Sequence, residues 1–156
     1  MNYQSWSCYL VDGKVLIPTK GKTTEGLGIH IEPMTVVSIL EQEVLKKALL
    51  ETIARGNPVH SFKEVESQLK IGIHKKVGMK SYKVFNHVAI LWGIEKKDDI
   101  YSIDFSKIAI DGRGFTPDTS KPDIVFPPNT PVEKVVDRFI NIITQTYQEK
   151  KKETVE

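Results

Sequence analysis

A single cysteine, Cys8, in a chain of 156 residues leaves no intramolecular disulfide and no multi-cysteine metal site open to this protein. No apolar run approaches the roughly 20 residues that span a bilayer. The first residues, MNYQSWSC, lack the basic start and apolar stretch of a secretory signal, so the chain reads as soluble and cytoplasmic. Charge of one sign is missing as well: 22 basic residues stand against 20 acidic ones, and no global field points to nucleic acid or to a membrane surface. GxSxG, GxxxxGK[ST] and CxxC do not occur, and the GxG of Asp111-Gly112-Arg113-Gly114 has no strand-turn-helix with a third glycine after it, which leaves a turn rather than a dinucleotide loop. His30, His60, His74 and His87 fall in four different segments without HxxxH or HxH spacing, so neither a metal nor another cofactor is expected. His60, His74 and Lys76 could form a ribonuclease-like trio in space, but ordinary core or surface histidines are the commoner meaning of such a scatter. The expectation is a protein that is not an enzyme.

What is present is a repeated local unit. Ile29-His30-Ile31-Glu32-Pro33 reads as a short strand stopped by proline, and Ser38 to Arg55 as a helix with a Ser38/Glu41 capping box. Val44, Leu45, Ala48, Leu49 and Ile53 form its apolar stripe, and Gly56 ends it. A second copy follows late in the chain: Ile124-Val125-Phe126-Pro127-Pro128, then Thr130-Pro131-Val132-Glu133, where threonine caps, proline opens the helix and Glu133 closes the capping box. Its stripe is Val132, Val135, Val136, Phe139, Ile140, Ile143 and Tyr147.

Between and before these units the signals are shorter. Trp6 to Val11 and Lys14 to Ile17 flank Asp12-Gly13 as a tight hairpin, with Pro18 ending the second strand and Thr19 to Gly26 a polar loop. Ser61-Phe62-Lys63-Glu64 starts another capped helix, and a further turn of helix begins near Ser81. His87 to Lys96 is almost wholly apolar, as suits a central strand covered on both faces. Lys97-Asp98-Asp99 turns it into an antiparallel partner, Ile100 to Ile110, and Asp111 to Pro122 is loop. The fold class this implies is α+β or α/β: a single domain over residues 1–148, with a mixed, largely antiparallel sheet packed by two main helices. Residues 149–156 read as a charged, disordered tail.

Charge is unevenly placed. From Phe62 to Lys97 eight lysines face three glutamates, and from Asp98 to Asp123 six aspartates face only Lys107, Arg113 and Lys121. The run Lys70 to Lys83, interleaved with Ile71, Ile73 and Tyr82, could grip a phosphate backbone. Asp98, Asp99, Asp111 and Asp118 sit in turns, where aspartate is also an ordinary turn former, and could present carboxylates to a basic partner.

Four stretches, LEQEVLKKALLETIARG, KKVGMKSYKVFNHVAIL, DGRGFTP and IVFPPNTPVEKVVDRFINII, taken in order resemble the immunity proteins of contact-dependent growth inhibition systems (CdiI). The likeness covers about the last four-fifths of the chain and is one of element order, with no catalytic signature. It implies a small bacterial cytoplasmic protein that binds and neutralises the C-terminal toxin domain of a CdiA effector, often a nuclease. Asp98, Asp99, Asp111 and Asp118 are then the candidate toxin-binding residues. The alternative is a small nucleic-acid-binding regulator using Lys70 to Lys83.

Overall fold

The computed structural model describes residues 2–155, with side chains through residue 153. The hairpin at Asp12-Gly13 forms as the sequence predicts: β1 (Tyr3–Val11) and β2 (Lys14–Thr23) meet through a two-residue turn with φ of 48° and 77°, the mirror-image turn that suits strand twist. β2 does not stop at Pro18. It runs on to Thr23, into the first part of the stretch expected to be a polar loop, and pairs with β3 (Gly28–Ser38), which likewise continues past Pro33. Both prolines fall where the register between the two strands shifts, between Ile17 and Thr19, so neither removes an amide the ladder requires. β3 is also an edge strand, and the flanking amides are satisfied locally: Glu32 N donates to Gln68 Oε1 at 2.8 Å and Met34 N to Glu32 Oε2 at 2.8 Å.

The sheet has the order β3-β2-β1-β5-β6-β7, with β1 and β5 (Ile90–Lys97) central, β6 (Ile100–Ile108) next to them and β7 (Phe115–Pro117) at an edge. β4 (Val59–His60) adds in parallel to β2 and β8 (Ile124–Val125) antiparallel to β6. The fold is α+β, with helices packed on a largely antiparallel sheet. Asp98 and Asp99, with φ of 50° and 67°, turn β5 into β6 as expected. β7 lies inside a stretch expected to be all loop.

One face of the sheet carries the two long helices, α1 (Gln42–Arg55) and α4 (Val132–Val155). Trp6, Cys8 and Leu10 of β1, Trp92 and Ile94 of β5 and Ile103 of β6 meet Leu45, Leu49, Val135, Val136, Phe139 and Ile143 there in one buried cluster. The α4 stripe is as the spacing predicts, and the helix then continues to Val155, so the expected disordered tail is helical through that residue. α1 departs in two respects. It starts at Gln42 with no side-chain cap, because the Ser38 hydroxyl accepts from Leu40 N at 3.2 Å instead, and Val44 lies outside the stripe, half exposed. At α4 the Thr130 hydroxyl donates to Pro127 O at 2.6 Å, and the carbonyl of Pro131 takes the first helical amides. The second strand-proline-helix unit is therefore closed by backbone groups rather than by a capping box.

The opposite face is only half covered. Tyr9, Val11 and Leu16 are buried under a 3₁₀ turn (Ile73–Val77) and α3 (Tyr82–Val88), through Ile73, Val77, Phe85 and Ala89. α2 (Phe62–Ile71), whose Ser61/Glu64 capping box forms as predicted, packs Val65 and Leu69 on Ile29 and Ile31. The apolar run from His87 is thus split between α3 and β5. Trp92 and Ile94 of β5 are buried in the helical core, while Gly93 and Glu95 face a part of the sheet that no described element covers.

Where β1 and β2 splay beyond the proline, Asn57 joins them. Its Nδ2 donates to Ser5 O at 2.8 Å and Lys20 O at 2.9 Å, and its Oδ1 accepts from Ser5 N at 3.1 Å. The Trp6 indole donates to Gly56 O at 3.3 Å beside it. Replacing Asn57 by alanine leaves three partly buried backbone groups unpaired and should cost about 2 kcal/mol in urea melts. A variant as stable as the parent would show that the strands do not depend on this bridge.

Candidate functional site, an acidic hollow on the open half of the sheet

The uncovered half of the sheet has a polar floor because the alternating positions of three strands are polar there. Ser5 and Ser7 of β1, Gly93 and Glu95 of β5, and Asp104 and Ser106 of β6 line a shallow hollow of about 200 Å³, with Lys20 of β2 at its side. Their in-plane neighbours Trp6, Ile94 and Ile103 face the helical core, so strand period alone delivers the polar set to one surface. Gly93 leaves room for the Asp104 carboxylate to lie over β5: a Cβ there would lie 2.5 Å from Asp104 Oδ1, so any other residue would push that carboxylate aside.

Asp104 is held between neighbours of its own sign. It stands opposite Gly93, with Glu95 two residues along the same strand. The register Ser102 to Val125 and Ile103 to Ile124 places Asp123 opposite it on the other side. Removal from water, then the charges of Glu95 and Asp123, push the Asp104 carboxyl up to about 6, and Lys20 and the Gly93 amide offset this in part. Lys20 is lowered by its own burial and supported by Asp104 and Glu95. The Tyr3 hydroxyl donates to Glu95 Oε1 at 2.8 Å, and burial with that contact raises the tyrosine. Glu95 and Asp104 on adjacent strands, with Asp123 just before β8 beside them and one half-buried lysine in balance, make a surface that favours a cation, and above all a basic side chain that can sit on the floor and displace water.

The residues singled out from sequence divide. Asp98 and Asp99 turn the hairpin three and four residues beyond Glu95, at the end of the acidic strip; Asp98 is fixed by Asn2, whose amide donates to Asp98 Oδ1 at 3.2 Å and whose carbonyl accepts the Asp98 amide at 3.0 Å. Asp111 lies beyond the other end of β6, where its carboxylate accepts the Arg113 amide at 3.0 Å. Asp118 accepts from Ser120 N at 3.1 Å and Ser120 Oγ at 2.6 Å, which holds its carboxyl below the usual range. These last two close local turns, and the fold does not gather the four into one patch. Glu95, Asp104 and Asp123 were not singled out, although the alternation of Ser102, Asp104 and Ser106 with Tyr101, Ile103 and Phe105 carried the signal.

The histidines are likewise dispersed. His30 meets Tyr9 edge-on at 5.9 Å, and loss of water around it lowers its pKa to about 4. His60 is 3.4 Å from Glu64, His74 meets Tyr82 edge-on at 5.4 Å, and Lys76 pairs with Glu32, so the possible catalytic trio is engaged separately. Among the described residues no group of His, Cys, Asp or Glu is placed to hold a metal ion, and no helix is long and apolar enough to cross a membrane. Within the lysine run, Lys70 is 3.5 Å from Glu66, while Lys75, Lys80 and Lys83 are exposed or partly exposed on the segment that covers the other half of this face.

No protein-family model matches the chain, and no curated protein matches it. Among solved structures it is similar to a protein of unknown function, NMB0488 from Neisseria meningitidis, with a TM-score of 0.62 at 10% identity over 87% of this chain and 90% of that one. At that identity the likeness is one of fold.

Proposed function

We propose that this chain is an immunity-type inhibitor, which binds the cognate C-terminal toxin domain of a CdiA effector and performs no chemistry itself. The observation that carries the reading is the acidic strip of Glu95 on β5 and Asp104 on β6, with Asp123 just before β8 beside it, open to solvent on a sheet whose other face is packed by α1 and α4. A nuclease toxin holds phosphates in a basic cleft, and carboxylates on a rigid sheet can occupy the places phosphates would take. The hollow, with Asp98 and Asp99 at its end, is the binding surface in this reading, and Asp111 and Asp118 fall outside it. The nucleic-acid alternative is weaker, since two lysines of the run are already paired with Glu32 and Glu66.

The test uses the product of the neighbouring reading frame as bait. Glu95→Lys with Asp123→Lys should weaken its binding at least about tenfold and flatten the salt dependence of association, whereas Asp111→Lys with Asp118→Lys should leave both unchanged. If the Glu95/Asp123 variant binds as the parent does, the hollow is not the interface. If the parent captures nucleic acid and no such protein, the regulator reading replaces this one.

A further inference from the structure

The core-facing stripe of α4 outruns the sheet. Ile140 and Ile143 are buried, Tyr147 is half buried, and the same helical face continues three and four residues on into the exposed Lys150 and Lys151. Under this last part of the face lies a cavity of about 420 Å³, walled by the β1–β2 turn, the junction of α3 with β5, and α4. Its inner surface is apolar: Leu10, Val88, Ile90 and the Tyr147 ring. The Tyr147 ring is fixed against the turn at Gly13, where a Cβ would come within 3.3 Å of it. The mouth carries the Lys150 and Lys151 ammonium groups from one side and the His87 imidazole from the other, with the carboxylate of Asp12 beside them. Lys151 Nζ stands 5.6 Å from the Tyr147 ring centre, so an ammonium group already sits where ring and mouth meet.

We propose that this cavity is a binding site for a small aromatic anion, its ring against Tyr147, Val88 and Ile90 and its anionic group at Lys150, Lys151 and His87. The volume falls in the range of small-molecule sites, roughly 300 to 1,000 Å³, and the pairing of an apolar interior with a few convergent polar groups is what orients such a ligand. The site lies apart from the acidic hollow and shares no lining residue with it. It stands or falls independently of toxin binding.

The probe is anilinonaphthalene sulfonate, followed by its fluorescence on titration into the folded full chain, with a cooperative urea melt confirming that each protein is native. Saturable binding at one site is expected with Kd on the order of 10 to 100 µM, the affinity that about 20 non-hydrogen atoms reach at ordinary ligand efficiency. Lys150→Glu with Lys151→Glu, both on the exposed face, should weaken it at least about tenfold. Val88→Trp, which fills the interior, should abolish it, and Asp98→Lys with Asp99→Lys should leave it unchanged. Absence of saturable binding by the parent, or a Lys150/Lys151 variant that binds like the parent, overturns the proposal. Should Val88→Trp fail to fold, the lysine variant decides alone.

Discussion

Replacing Phe139 by alanine is expected to remove about 3 to 5 kcal/mol of stability, the cost of deleting a buried aromatic ring together with the cavity it leaves. Phe139 has no exposed surface, meets Trp92 edge-on at 6.1 Å, and is surrounded by the equally buried Val135, Val136 and Ile143. Such packing leaves little room for collapse. α4 is the element that closes the helical face of the sheet, so the loss is global and should appear as a shift of the whole urea transition with an unchanged slope. Against a total stability of about 5 to 15 kcal/mol for a domain of this kind, it is a large fraction. Arg138→Ala, on the exposed side of the same turn, is the control and should stay within about 0.5 kcal/mol of the parent. A Phe139→Ala protein melting with the parent would place α4 outside the core.

Asp104→Asn should have the opposite sign, and only above a certain pH. The folded-state pKa of Asp104, pushed up to about 6 by burial and by Glu95 and Asp123, lies above the ordinary aspartate value of 3.8, so folding favours its protonated form. Below about pH 3 the group is protonated in both states and contributes nothing. As pH rises from about 4 to about 6 the unfolded chain ionises first, the folded state carries a growing penalty, and above about 6 that penalty is constant. The full shift corresponds to about 3 kcal/mol, and water in the open hollow reduces it to about 1 to 2. An asparagine side chain cannot ionise, so Asp104→Asn should gain about 1 to 2 kcal/mol at pH 7.5, show no gain at about pH 3, and have the advantage reduced by added salt. A variant no more stable than the parent at pH 7.5 would mean that Asp104 is not held among like charges.

The elements with strong local signals were determined by the sequence alone. Asp12-Gly13 and Asp98-Asp99 specify two-residue turns because their residues adopt positive φ readily, and Ser61/Glu64 caps α2 through groups only three residues apart. The stripe of α4 follows from helical period. Local signals misled where tertiary partners competed. Pro18 and Pro33 read as stops, yet a register shift at a sheet edge absorbs both; Ser38 reads as a cap, yet its hydroxyl turns to Leu40 when β3 extends through it. The charged end of the chain reads as frayed, but it continues a helix whose Tyr147 rests on the Gly13 turn, a contact no local window contains. The candidate site depended most on tertiary structure. Glu95, Asp104 and Asp123 are far apart in the chain or separated by apolar neighbours, and their meeting requires the pairing of β5 with β6 and of β6 with β8. Period two could place Asp104 on the face opposite Ile103; whether that face was covered depended on where α2, the 3₁₀ turn and α3 came to rest, and they leave the hollow open because Tyr9, Val11 and Leu16, with Leu91 and Phe115 beside them, offer an apolar floor that Ser5, Gly93 and Asp104 do not.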